Sequence, residues 1–276
     1  MAVNDIDSAF VTQFEVDVHL AYQRMGSKLT NLTRKRMGLV GSSTYFQKAG
    51  SGTAGVKGRN GQVPIMNYTH TPVQCTLADY YAGQYIDKLD VLKIYHDEMA
   101  IATTNAAAAL GRKSDELITT VLDAQTTNQT ATASGITQAK VEEIFEYFGT
   151  NNVDDDGKRW GAVAPQGWTD LQNITQFSSR DYVPEAELPY KGNGFFTAKR
   201  WMTIFWFMFS GLSKSSTVRS SHVWHWKCVG FASGQEIYMD ITWQGKEQAN
   251  LAVGGMSQGA VVIDTTGVYK LRHTEV

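Results

Sequence analysis

The sequence predicts an α+β fold, in which helices and strands occupy separate stretches of the chain instead of alternating as βαβ units. Three observations carry this expectation: one long helical pattern over residues 96–124, strand-like alternation on both sides of it, and a glycine-rich excursion between two strands. The composition sets the frame. Of 276 residues 42% are hydrophobic and 19% charged, the opposite of a disordered chain's imbalance, so the bulk of the chain folds. A net charge of -2 supplies no overall field toward nucleic acid or anionic membrane, and any such contact must come from a local patch. Cys75 and Cys228 are too few for a disulfide framework or a four-thiolate metal site and agree with a reducing compartment. The opening residues, with Asn4, Asp5 and Asp7, do not form a signal peptide. The longest apolar run, WMTIFWFMFSGL at 201–212, is shorter than the ~20 residues that cross a bilayer and reads as one buried strand. No membrane partner is expected.

Taken in order, the chain begins with an amphipathic helical pattern, since Phe10, Phe14, Val18 and Tyr22 recur four apart. From 32 to 86 the texture turns to β, with alternation at 44–47 and 73–77, and with Pro64 and Pro72 excluding a continuous helix. Between these runs AGSGTAGVKGRNGQ, residues 49–62, reads as the tip of a long hairpin. So long a glycine-rich loop is either functional or reaches outward to a partner. Residues 96–124 carry the strongest helical signal, with Met99, Ala102, Ala106, Ala109, Leu117 and Val121 as the expected packed face. At 1.5 Å per residue this is a rod of roughly 42 Å, with Gly111 as a candidate bend. Residues 124–135 are polar and read as an exposed linker. A helix follows, with Thr137 as N-cap, an Ile136–Val141 staple, and Val141, Ile144, Phe145 and Phe148 as its apolar stripe. Beyond it lie a strand at 160–164, a short helix at 166–173, and terminal strands at 236–243 and 260–271 separated by a turn at Gly254 and Gly255.

Several motifs invite a chemical reading, and each has a plainer one beside it. Gly50, Gly52 and Gly55 spell G-x-G-x-x-G, but a dinucleotide site needs a helix to follow, and Lys57-Gly58-Arg59-Asn60-Gly61 propagates none; the reading is a hairpin tip. Asn152, Asp154, Asp156 and Gly157 imitate half of a calcium loop, whose twelfth position is Val163 instead of Glu, so a polar loop is expected. His222, His225 and Cys228 have ligand-like spacing, yet strand alternation splits them between two faces, with Trp224 and Trp226 packing inward and no way to bring in Cys75 or His70. The basic cluster Lys28, Arg34, Lys35, Arg36 is suited to phosphate, or to a solvated strand or a neighbouring subunit's acids. No G-x-S-x-G, H-E-x-x-H or kinase-type set occurs. No catalytic residue, cofactor or metal is expected.

The ordered list of helical arm, glycine-tipped hairpin, rod-like helix, mixed middle and returning strands resembles the major capsid protein of tailed bacteriophages, the Hong Kong 97-like fold. DSAFV at 7–11, AYQR at 21–24, DYYAG at 79–83, ALGRKSDEL at 109–117 and MSQGAVVID at 256–264 carry the resemblance across nearly the whole chain. It implies an N-arm over 1–31, an extended loop over 32–71, a peripheral domain over 72–134 with the spine helix, an axial domain over 135–233, and a return to the peripheral domain over 234–276. It implies self-assembly through hexamers and pentamers into an icosahedral shell around double-stranded DNA held by weak, non-specific contacts. Assembly would take place in the bacterial host cytoplasm, with portal, decoration and separate scaffolding proteins as partners. Gly50, Gly52, Gly55, Lys57, Gly58 and Arg59 would form an inter-subunit loop tip, and Phe10, Phe14 and Tyr22 would make N-arm contacts. Lys57 is placed where cross-linking relatives carry a lysine, although a solvated loop lysine is the plainer reading. The alternatives are an encapsulin-like nanocompartment shell and an α/β enzyme.

Overall fold

A computed structural model of the chain describes residues 23, 26–91, 93, 97–132, 134–178 and 198–275. The expected amino-terminal helix, with Phe10, Phe14 and Tyr22, and position 96 lie outside them. In chain order the elements are β1 (Arg34–Arg36), β2 (Ser43–Ala49), β3 (His70–Thr76), β4 (Ala78–Asp87), α1 (Lys88–Val91), α2 (Glu98–Asp123), α3 (Gln138–Thr150), β5 (Arg159–Val163), α4 (Pro165–Asn173) and α5 (Thr175–Ser178). There follow β6 (Ala198–Trp201), β7 (Ile204–Met208), β8 (Lys214–Ser215), β9 (Val218–His225), β10 (Val229–Gln244), β11 (Ala249–Val262) and β12 (Val268–Thr274). They build a sheet ordered β1-β10-β11-β4, a sheet ordered β12-β9-β5-β7-β6 with β8 paired to β9, and the β2-β3 hairpin.

The chain divides into two compact units, through both of which β4, α2, β10 and β11 run. The larger comprises 27–79, 113–236 and 256–276. Its centre is the β12-β9-β5-β7-β6 sheet, whose alternating residues feed two different cores. Trp206, Val223, Tyr269 and Leu271 pack with Val141, Ile144 and Phe148 of α3, Trp168 and Leu171 of α4, and Phe177 of α5. Ala162, Trp224 and Val268 pack instead with Ile118 and Leu122 of α2, Leu29, Val229 and Phe231. With helices on both sides, the central strands β5 and β7 read as nearly continuous apolar runs, RWGAV and IFWFM, while β9 and β12 carry polar residues as well. A Cβ on Gly161 would stand 2.7 Å from the Trp206 ring, so glycine there is a packing requirement.

The smaller unit comprises 1–26, 80–112 and 237–255, and its core joins Ile86, Ala102 and Ala252, with Met99 beside them. Gly254 and Gly255 do not form the expected turn. They are buried inside β11 and leave room on opposite faces, Gly254 for Met239 and Leu110, Gly255 for the Tyr238 ring. The chain reverses between Gln244 and Ala249. Glycine here serves close approach, a use that sequence does not distinguish from a turn.

Other expectations are corrected in detail. The packed face of α2 runs through Ala102, Ala106, Ala108, Leu110, Ser114, Asp115, Ile118 and Leu122, while Ala109, Leu117 and Val121 are only half-buried. An apolar scan missed the row because it contains two polar residues whose hydrogen bonds are met inside. Residues 201–212 are not one strand. β6 and β7 reverse through Met202 and Thr203, both at positive φ (48° and 61°), and buried Arg159 donates from Nη1 to Thr203 Oγ1 at 2.7 Å. A two-residue turn of this kind normally announces itself with Asn or Gly, and here a tertiary bond substitutes for that signal. The polar stretch after α2 is not a free linker: Thr130 N–H donates to Lys270 O and Lys270 N–H to Asn128 O, docking it along β12. Residues 260–271 are broken by a 3₁₀ turn at Thr265–Gly267. Thr137 occupies the N-cap position without a side-chain cap bond, and Phe145 faces solvent.

Candidate functional site

The feature that the folded body does not account for is the β2-β3 hairpin. At its base the register pairs Thr44 with Cys75 and Phe46 with Val73. Period-two alternation turns Thr44, Phe46 and Cys75 inward, where Phe46 and Cys75 join Ala232 and Ile263 in a small core, and sends Tyr45 and Gln47 outward. Two glycines make the seat. A Cβ on Gly230 would lie 2.8 Å from the Phe46 ring, and one on Gly259 would lie 2.2 Å from Thr76 O. Lys48 Nζ lies 2.8 Å from Asp264 Oδ1. Burial alone would raise the Asp264 carboxyl, but the bonds from Lys48 and Thr266 outweigh it and hold the group below its ordinary range. Burial pushes the Cys75 thiol up to about 11, so it stays a neutral packing group.

Beyond Ala49 the hairpin leaves the body. Every residue from 49 to 72 is exposed, including Val56 at 100%, Ile65 at 84% and Val63 at 69%. The ladder stops at Ala49–His70, Gly50 N–H donates to Thr69 O at 2.8 Å, and the tip closes through Gly61 N–H to Gly58 O at 3.0 Å. The G-x-G-x-x-G letters find their explanation between these points. A Cβ on Gly52 would meet Met66 at 2.3 Å and one on Gly55 would meet Pro64 at 2.9 Å, so both glycines admit residues of the returning branch. Lys57, Gly58 and Arg59 lie at the tip as expected. No helix follows the glycines. An apolar ribbon lying in water has left its contacts unmade, and patches of this sort mark interaction surfaces.

A second exposed apolar surface lies in the smaller unit. Gly83 directs its missing Cβ toward Val253 and Leu251, and Gly255 directs its own toward Tyr238, which puts Tyr81, Tyr85, Tyr238, Leu251 and Val253 on one sheet face. Tyr81, Tyr85 and Tyr238 are exposed there.

Where the amino-terminal segment joins the body, the buried Asp115 carboxylate accepts from Ser27 Oγ (2.6 Å), Lys28 N–H (3.1 Å) and Leu29 N–H (2.9 Å). Leu29 then enters the core, and Leu32 O accepts from Trp224 Nε1 at 3.1 Å. Sequence reading missed this clamp; an acid on the packed row of a helix was its only signal. The basic cluster is largely used locally. Arg36 donates to Thr44 Oγ1 and Tyr45 O, Arg34 lies over Phe46, and Lys35 donates to Asn31.

The ligand-like motifs resolve into structural pairs. His222 Nε2 lies 3.0 Å from Asp123, and His225 Nε2 lies 2.9 Å from Asp156. β9 ends at His225, so Trp226 turns outward, contrary to expectation, and lies against Lys158 and Asp156. Asp154 pairs with Lys227. Burial would raise Asp156, but bonds from His225 and Trp226 lower it to about 2. Burial pushes the Cys228 thiol up to about 12. Among the described residues no group of three or more His, Cys, Asp or Glu side chains is arranged to hold a metal ion, and no helix is long and apolar enough to cross a membrane.

Comparison with known proteins agrees with this architecture. No curated protein matches the sequence. Solved phage structures share the fold at low identity. That of the cyanophage P-SCSP1u has a TM-score of 0.76 at 16% identity, covering 100% of this chain and 96% of its own. That of Mycobacterium phage Che8 has a TM-score of 0.76 at 15% identity, covering 98% of each chain. The capsid of Ralstonia phage GP4 has a TM-score of 0.73 at 8% identity, covering 100% of this chain and 98% of its own. The phage capsid protein family matches residues 6–275, nearly the full length, and the chain belongs to that family.

Proposed function

We propose that the chain is the major capsid subunit of a tailed bacteriophage, assembling through hexamers and pentamers into an icosahedral shell around double-stranded DNA. The observation that carries this reading is the hairpin arm of a capsid-family chain: residues 49–72 are wholly exposed although they include Val56, Val63 and Ile65. A second copy supplies the missing contacts. The Tyr81, Tyr85 and Tyr238 face is the surface we assign to receive the arm, since it too is apolar and uncovered. In this reading 1–31 is the N-arm, 32–71 the extended loop, 72–134 and 234–276 the peripheral domain, and 135–233 the axial domain.

The role is structural, without catalytic residues, and the chain's place is the virion capsid after assembly in the host cytoplasm. Portal, decoration and separate scaffolding proteins are its partners. DNA contact is weak and non-specific, in keeping with a net charge of -2 and with arginines already engaged at β1. Limited trypsin digestion tests the arm, because Lys57 and Arg59 are its exposed cleavage points. Free subunits are expected to be nicked there, and shells separated by sedimentation and checked by negative-stain microscopy are expected to resist. Equal cleavage of free and assembled chains refutes the inter-subunit arm, and failure of the pure chain to give any shell, with or without scaffolding protein, refutes the shell assignment.

A further inference from the structure

Two Asn–Gly dipeptides occur in the sequence, Asn60–Gly61 and Asn193–Gly194, and the second lies outside the described residues. Such a pair is chemically special because the backbone nitrogen after an asparagine can attack that asparagine's own side-chain carbonyl carbon. A side chain on the attacking residue obstructs the approach, and glycine has none. Inside regular structure that nitrogen is held in place. In α2, for example, the nitrogen following Asn105 belongs to a helical residue, and in β11 the one following Asn250 belongs to a strand. At the arm tip the protection is slight. Asn60 is exposed, and the Gly61 N–H is held by one solvent-facing turn bond to Gly58 O, of the kind water readily replaces. Space is open as well. No atom lies within 4 Å of where a Cβ on Gly58 would stand, and around Gly61 the neighbours are atoms of Gly58 itself.

We propose that Asn60 is a spontaneous deamidation site at the tip of the arm. Solvent base removes the Gly61 amide proton, the nitrogen bonds to Cγ of Asn60, and the Cγ–Nδ2 bond breaks with Nδ2 leaving as ammonia after taking up a proton. The product is a five-membered succinimide. Water then opens either of its carbonyls to give aspartate or isoaspartate. The sum is asparagine plus water to acid plus ammonia, with no oxidant or reductant. A new carboxylate therefore appears beside Lys57 and Arg59. Its consequence for assembly rests on the inter-subunit reading of the arm: a free subunit ages at its contact tip, whereas a docked tip is shielded from water and base.

The test incubates the full-length free chain at neutral and mildly alkaline pH. Chymotryptic peptides spanning 47–68 are then followed by mass spectrometry, with Asn67 on the same arm as internal control. The expected result is amide-to-acid conversion at Asn60, severalfold faster at the higher pH, slowed severalfold by Gly61→Ala and absent in Asn60→Gln, while Asn67 keeps its amide. Conversion no faster at Asn60 than at Asn67 overturns the proposal. Assembled shells separate the two readings: conversion at equal rates in free chains and shells sinks the docking of the tip and leaves the chemistry standing.

Discussion

The body around β5, β7 and β9 and the arm between β2 and β3 treat similar residues in opposite ways. Both contain aromatic and branched aliphatic residues, yet Trp206 and Trp224 are wholly buried whereas Val56, Val63 and Ile65 stand in solvent. The body closes its contacts within one polypeptide. Helices cover both faces of the sheet, and two of the body's buried charged groups, Asp115 and Arg159, have partners within the chain. The arm does the reverse: its glycines let two branches approach one another, Met66 over Gly52 and Pro64 over Gly55, and this thin contact leaves Val56, Val63 and Ile65 uncovered. Apolar residues thus report two different destinations, and only the geometry tells them apart. Under the proposed inter-subunit reading, the body is the part that packs on itself and the arm the segment whose contacts await a neighbour.

Five measurements test the difference between body and arm. Trp206→Ala removes one of the two largest buried rings of the body and is expected to lower stability by about 3–5 kcal/mol in urea melts; a loss as small as an arm substitution gives would erase the distinction. Asp115→Ala leaves the Ser27, Lys28 and Leu29 donors without their acceptor, for a loss of about 3 kcal/mol, given about 1–3 kcal/mol per orphaned buried donor. Hydrogen exchange should then rise first at 27–29, and unchanged protection there would remove the clamp. Gly161→Ala forces a methyl against the Trp206 ring and should cost about 1–3 kcal/mol. Combined with Trp206→Ala it should cost almost nothing, since the obstructing ring is gone; strict additivity would show that the two do not share a layer.

Acid supplies a smaller effect. The folded-state value of Asp156, about 2, lies below its ordinary 3.8, so its contribution is fully present above 3.8 and is lost as pH falls through about 2. Its side chain is a third exposed, which keeps the effect modest. Asp156→Asn should flatten the melting temperature between pH 4 and pH 2 relative to the parent, and parallel curves would deny the His225–Asp156 pair that role. Smallest of all for the fold is Ile65→Asp on the arm, expected to shift stability by less than about 0.5 kcal/mol. The same change should abolish or sharply reduce shell yield. A large drop in stability with normal shells would invert the comparison between arm and body.

Much of this was legible from the residues alone. Helical periodicity located α2 and α3, alternation located β2 and β3, and the composition of 49–62 marked the arm, because amphipathic spacing and backbone freedom are local properties. The texture of the whole chain pointed to the phage capsid family, which its match over 6–275 bears out. What lay beyond sequence were contacts between residues far apart in the chain. The Met202–Thr203 turn depends on Arg159, Gly254 and Gly255 are small because Met239 and Tyr238 need their space, and the row on α2 includes Ser114 and Asp115 because Gln258 and residues 27–29 complete them. Trp226 faces outward because β9 stops at His225, where strand alternation no longer applies. The residues alone were enough for the two longer helices, the base of the hairpin and the arm, since those follow from local spacing and the energetics of single residues. Tertiary structure alone decided which glycines are turns and which are seats, and which polar groups are buried, because both depend on what the folded chain brings within a few ångströms of them.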